Sequence, residues 1–223
     1  MKKTSAVPAK AAAPKRPRGR PRSFDRDQAL QQAMEVFWAK GFEGASLMDL
    51  TEAMNISPPS LYAAFGDKEQ LFLEAMERYQ KRAGESCPYC DEPTARAALE
   101  KLLLYMAHEL TSSEHPRGCL MALAAATSNG ASDRLKDALA AKRMASRARL
   151  KSRIERGIKE GDVPAGTDAG ALADFYSTIM SGMSLQAKDG VSRKSLVATV
   201  NNAMALFPQV AGTRAAKRVA EAA

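Results

Sequence analysis

Ser46-Leu47-Met48-Asp49-Leu50-Thr51-Glu52-Ala53-Met54-Asn55-Ile56-Ser57-Pro58-Pro59-Ser60-Leu61-Tyr62 is the stretch that decides the fold. Ser46 with Asp49 three residues on has the form of a capping box, and Leu47, Leu50 and Met54 at i, i+3 and i+7 continue it as a helix of only two turns. Asn55 stops that helix, because Asn enters the left-handed region with little strain. Ser57 caps the next helix, and Pro58 and Pro59 fill its first positions, where a missing N–H is harmless. Two short helices joined through Met54-Asn55-Ile56 make a helix-turn-helix.

The flanks supply its supports. Upstream, Asp25 and Gln28 make an Asp variant of the capping box, and Ala29, Leu30, Ala33, Met34, Phe37 and Trp38 recur at helical spacing until Gly41 ends the run. Downstream, Asp67 and Gln70 open a fourth helix whose Leu71, Phe72, Ala75, Met76 and Tyr79 face back toward the other three. Leu47, Leu50, Met54, Leu61, Phe65, Leu71 and Phe72 are expected in the core. Ser46, Ser57, Pro58, Pro59, Ser60, Tyr62 and Lys68 form the outward set.

Charge marks a second element. The chain holds 33 Lys plus Arg against 25 Asp plus Glu, a net of +8. Residues 1–22 carry Lys2, Lys3, Lys10, Lys15, Arg16, Arg18, Arg20 and Arg22 without an acid, so the remainder is balanced. Within that arm, Pro17-Arg18-Gly19-Arg20-Pro21 has the core of an AT-hook: Gly19 lets the backbone lie on the groove floor while Arg18 and Arg20 enter the narrow, negative minor groove of A/T-rich DNA. The rest of the arm is Ala, Pro and Lys without periodicity, the composition of a disordered segment. A solubilising tail or a transit peptide is the alternative for an arm lacking acids.

Gly41-Phe42, Ala45-Ser46, Asp49-Leu50, Ile56-Ser57, Ser60-Leu61-Tyr62, Phe65-Gly66-Asp67-Lys68 and Leu71 stand in an order and spacing that resembles the DNA-binding domain of the TetR (tetracycline repressor) family. Thr51 departs from the usual Ala of the second helix, and Asn55 from the usual Gly of the turn. The resemblance implies that Tyr62 and Lys68 contact phosphates while Pro59 and Ser60, beside Pro58, face base edges in the major groove. Ser46 and Ser57 are sufficiently explained as N-caps; their helix N-termini also favour a phosphate. It further implies a homodimer on a palindromic double-stranded operator, released when a small-molecule effector alters the spacing of the two recognition helices, and the AT-hook core of the arm adds A/T-rich flanks to that operator.

Beyond Tyr79 the sequence is helical but carries fewer signatures. Leu99, Leu102, Leu103, Met106 and Leu110 mark one helix; Cys119, Leu120 and Leu123 a short one after Pro116-Arg117-Gly118; Leu135 to Lys159 a long basic one. The cations Arg143, Arg147, Arg149, Lys151, Arg153 and Arg156 read as a solvated face. After a loop from Gly161 to Gly166, Leu172, Phe175, Tyr176, Ile179, Met180 and Met183 form a wide stripe, as do Leu196, Val197, Val200, Met204 and Phe207. By resemblance the last two helices pair with their twofold mates in a four-helix interface; closing the monomer core is the alternative. Periodicity alone gives Leu103, Met106, Leu120, Phe175, Tyr176, Ile179 and Met180 as the effector pocket, and the same residues fit ordinary core.

Three cysteines, an odd number, fit a reducing interior better than a disulfide framework. Cys87-Pro88-Tyr89-Cys90 spells a dithiol redox motif, but a helix precedes it and Asp91-Glu92-Pro93 follows, so the strand-motif-helix setting of a redox enzyme is missing. Cys87 and Cys90 with His115 and Cys119 have ligand spacing for a tetrahedral zinc site, split across a whole helix. Cys119 is the candidate thiol sensor, placed after Gly118 at a helix start near His115 and Arg117, with Cys87 or Cys90 as resolving partners; a small packed apolar residue is the alternative. His108 is a packed or surface histidine.

The expected architecture is all-α. A disordered basic arm (1–22) precedes a helix-turn-helix domain whose three-helix unit is backed by the fourth helix (23–83). A helical effector-binding and dimerisation domain (84–207) and a flexible tail (208–223) follow. With 45% hydrophobic residues the chain can bury a full core, and it has neither an apolar run of about 18 residues nor a signal-peptide segment, which points to the cytoplasm. The reading is a non-enzymatic regulator, more a repressor than an activator, needing no cofactor or resident metal.

Overall fold

A computed structural model describes residues 24–85, 91–124 and 130–210. Its order is α1 (Arg26–Gly44), α2 (Leu47–Ala53), α3 (Pro58–Phe65), α4 (Lys68–Glu85), α5 (Ala95–Glu109), α6 (Leu120–Ala124), α7 (Asp133–Glu160), α8 (Ala169–Lys188) and α9 (Arg193–Ala205), with no strand among the described residues. Local chemistry sets the boundaries. Asp25 accepts from the amides of Asp27 and Gln28; Ser46 and Asp49 close their box in both directions; Ser57 accepts from the Ser60 amide and Asp67 from that of Gln70. Asn55 turns the chain at φ 51°. Gly41, at φ 75°, breaks the first helix where expected, but the chain adds a further turn to Gly44.

Two apolar clusters hold the helices together. Met34, Phe37, Leu50, Leu61, Phe65, Leu71, Phe72 and Met76 bind α1 to α4, with Phe37 edge-on to Phe72 at 4.8 Å. Leu99, Leu103, Ile154, Tyr176, Met183, Leu196, Val200 and Met204 bind α5, the end of α7, α8 and α9. The division does not follow the chain. Leu120 and Ala124 of α6, and Leu135 and Leu139 at the start of α7, belong to the first cluster, so the second half of the sequence completes the core of the first.

Three expectations are corrected. Leu47 is 36% exposed rather than core: in a helix of seven residues the stripe is set by Leu50 and Met54, and Leu47 at its mouth falls outside it. The cations of α7 are not one solvated face, because Arg143 and Arg153 turn inward and bury guanidinium nitrogens. On the last two helices Tyr176, Met183, Leu196, Val200 and Met204 close the monomer core, which leaves Phe175 and Leu185 of α8, and Leu206 just past α9, exposed.

Candidate nucleic-acid interface

The outer surface of the helix-turn-helix is built by what its inner residues fix. Leu61 and Phe65 are buried, which turns Ser57, Pro58, Pro59, Tyr62 and Ala63 outward and leaves Ser60 half-buried. Tyr62 is 49% exposed. Ser60 Oγ lies 2.9 Å from Ser57 Oγ, so the two hydroxyls share one hydrogen bond at the mouth of α3 and leave the other hydroxyl hydrogen free for a base edge or phosphate. Thr51 settles its own hydroxyl by donating to Leu47 O (2.9 Å) and Met48 O (3.1 Å), which explains how a polar residue replaces a small one in a buried position.

Ser46 is more committed. Its hydroxyl accepts from the Asp49 amide and donates to Asp49 Oδ2 at 2.7 Å, while Lys40 Nζ holds the other oxygen at 2.5 Å. These bonds hold the Asp49 carboxyl well below the usual carboxylate range. Lys68 reaches less far than an outward lysine would: it is half-buried with Nζ 4.6 Å above the Phe42 ring, and burial lowers its ammonium from the ordinary value against the pull of Glu43 and Asp49. Arg26 is held by Glu74 (2.6 Å) and Ala64 O, over the Phe65 ring. Met48, 73% exposed beside Leu47, is a surface residue the sequence pattern does not single out. Arg18 and Arg20 lie outside the described residues.

A joint connects this surface to the second cluster. Trp38 of α1 donates from Nε1 to Gly118 O at 2.8 Å and stacks on His115 at 4.4 Å. On the other side Arg117 donates to Ala187 O (2.8 Å) and Val191 O (2.6 Å), and the Cys119 amide donates to Ser184 Oγ at 2.8 Å. Residues 115–119 thus rivet α1 to the end of α8. His115 is 4% exposed in its side chain, and its Nε2, 3.5 Å from Glu109, has no hydrogen-bond partner among the described residues; His108 is on the surface.

Cys119 sits one residue before α6, half-buried, and accepts a hydrogen bond from Tyr79 Oη at 3.3 Å; burial, then the neighbouring sulfur, pushes the Tyr79 phenol well above its ordinary value. Cys87 and Cys90 lie outside the described residues. Among the described residues no three His, Cys, Asp or Glu side chains gather as metal ligands would. Of the seven apolar residues named for a pocket, Leu103 and Tyr176 belong to the second cluster, Met106, Ile179 and Met180 pack half-buried against it and Phe175 stands edge-on to Tyr176, whereas Leu120 belongs to the first. Periodicity finds inward faces but not which inward residues share a space. No described helix is long and apolar enough to cross a membrane.

This arrangement has counterparts. Residues 29–75 match the family described as bacterial regulatory proteins, tetR family, and residues 95–206 match the tetracyclin repressor-like C-terminal domain. The chain is 34% identical over 199 residues to the HTH-type transcriptional repressor ComR of Escherichia coli K12, covering 88% of this chain and 95% of that one. It is 32% identical over 186 residues to the repressor BdcR of the same organism, covering 81% and 88%. A cysteine-substituted form of the TetR family regulator CifR, solved with 26 bp double-strand operator DNA, superposes with a TM-score of 0.81 at 49% identity, over 85% of this chain and all of that one. With both halves matched, and with a capped two-helix unit presenting Ser57, Pro59 and Tyr62 to the outside, the chain belongs to the TetR family of DNA-binding transcriptional regulators.

Proposed function

We propose that the protein is a cytoplasmic repressor that binds a palindromic operator as a homodimer and leaves it when a small molecule enters the C-terminal domain. The exposed mouth of α3 carries this reading: Ser57, Pro58, Pro59 and Tyr62 face outward on a helix whose caps and buried side permit no other orientation. Pro59 and Ser60 would meet base edges, Tyr62 and Lys68 phosphates, and the N-termini of α2 and α3 at Ser46 and Ser57 would add favourable dipoles. Residues 23–83 form the DNA-binding domain and 84–207 the effector and dimer domain; Arg18 and Arg20 of the arm reach the adjacent minor groove. Dimerisation uses the outer side of α8, where Phe175, Thr178, Gly182 and Leu185 are exposed in one stripe, with Leu206, also exposed, just past α9.

Release follows from the joint. α6 touches α1, α4, α7 and α8, so a ligand that displaces it also shifts Trp38, which Gly118 O holds. The separation of two recognition helices, about 34 Å for adjacent major grooves, then changes. The test is selection of bound fragments from the host genome, followed by a reporter under the selected site with and without the protein. Lower expression with the protein present supports repression; higher expression would make it an activator.

A further inference from the structure

α7 carries a cation where its interior stripe should continue. Leu135, Leu139, Ser146, Leu150, Ile154 and Gly157 turn inward at helical spacing, and position 143 falls within their arc, four residues after Leu139 and seven before Leu150. The residue there is arginine. Its Nη1 is buried and has no hydrogen-bond partner among the described residues. Its neighbours are provided for. Lys142 donates to Gln80 at 2.9 Å, and Arg147 pairs with Asp174 of α8. α7 and α8 run antiparallel with Arg147 opposite Asp174, so Arg143, one turn back, stands at the level of Ser177 and Met180. Ser146, on the same face, points to Met121 Sδ of α6 at 4.0 Å. The guanidinium therefore lies where α6, α7 and α8 meet, between Leu139 of one apolar cluster and Leu150 packed on the other.

A buried guanidinium N–H without an acceptor is costly, and arginine does not escape by losing its proton. A carboxylate supplies the missing acceptors in matching fork geometry and balances one charge with one. A phosphate dianion would bring a second charge, for which Lys142, already engaged on α4, is not free. We propose that Arg143 anchors the effector site and that the effector is a small organic carboxylate whose apolar body lies against Met121, Ile179 and Met180. This rests on the effector-released regulator described above. Because Met121 packs on the first cluster and Met180 on the second, such a ligand would bridge them.

The test uses the full chain and Arg143→Gln, with Arg143→Met as the second variant should the first unfold. Calorimetry without DNA and operator release by fluorescence anisotropy are run with hexanoate, octanoate, decanoate and phenylacetate, each against its matching alcohol. The expected result is a wild-type preference for at least one acid over its alcohol of about tenfold or more, about 1.4 kcal/mol, lost in the variant while ligand-free operator affinity is unchanged. No preference in wild type for any of the acids, or a preference that survives in the variants, overturns the proposal. Ligand-free wild type that fails to bind a selected operator would instead remove the regulator reading, and the calorimetry would still decide the anion site.

Discussion

Tyr62 and Lys68 differ in how freely they can reach DNA, and that difference shapes their test. Tyr62 is open, so Tyr62→Phe removes only a hydroxyl and should weaken every duplex by about 0.5–1.5 kcal/mol without changing the preferred sequence. Lys68 also covers Phe42, so Lys68→Met, which keeps the stem, isolates the charge. It should flatten the dependence of log affinity on log salt by about 0.9 for each phosphate that the lysine neutralises. An unchanged slope and affinity would take both residues out of the interface. In the second cluster, Tyr176 donates to Ala203 O at 3.0 Å, and burial pushes its phenol up to about 12 from 10.0, with Arg96 pulling the other way. The folded chain keeps that proton between about pH 10 and 12 while the unfolded chain loses it, so the bond's contribution is intact below pH 10 and declines as pH rises through the window. Tyr176→Phe should cost about 0.5–1.5 kcal/mol at neutral pH and shallow the alkaline decline in denaturant titrations. An equally steep decline would assign it to other groups, Tyr79 first. Residue environments of this kind were poorly legible in the sequence: Leu47 and Phe175 obey the apolar spacing of their helices yet lie at its edge, where a few degrees decide burial.

Elements were the most legible scale, because their signals are local. Capping residues and a turn residue act within four positions, and the box at Ser46, the N-cap at Ser57 and the positive φ of Asn55 stand where the sequence puts them. Asn55→Gly should change stability by less than about 0.5 kcal/mol, whereas Asn55→Val should cost about 1–2 kcal/mol, measured by thermal or urea unfolding. Equal stability of all three would mean the turn carries no left-handed residue. The joint at 115–119 was not legible, since each of its bonds spans tens of residues. Gly118 is its tightest point: at φ 86°, an added Cβ would stand 2.9 Å from Leu123 Cδ1 and 3.0 Å from Ser184 O. Gly118→Ala should therefore destabilise by about 1–3 kcal/mol and disturb release by effector more than basal DNA binding. Normal stability and normal release would separate the joint from signalling.

At the scale of the molecule, Phe175 and Leu185 leave 36% and 55% of their surface open on α8, apolar area that suits a second copy of the chain. Phe175→Glu with Leu185→Glu should give folded monomers in sedimentation, because Leu185 is open and Phe175 meets the core only edge-on at Tyr176; a persistent dimer would put the interface elsewhere. The sequence showed two apolar stripes on the last helices, but not that the stripe of α9 lies wholly inward while that of α8 turns Phe175 out, since both have the same spacing. The most direct measurement is a competition titration of the full chain on a selected two-half-site duplex against excess random duplex of equal length. Binding should survive the competitor, and should fall to the non-specific level when one half-site is scrambled or when the monomeric variant is used. Equal displacement by random DNA, or indifference to the scrambled half-site, would contradict a dimer reading two major grooves.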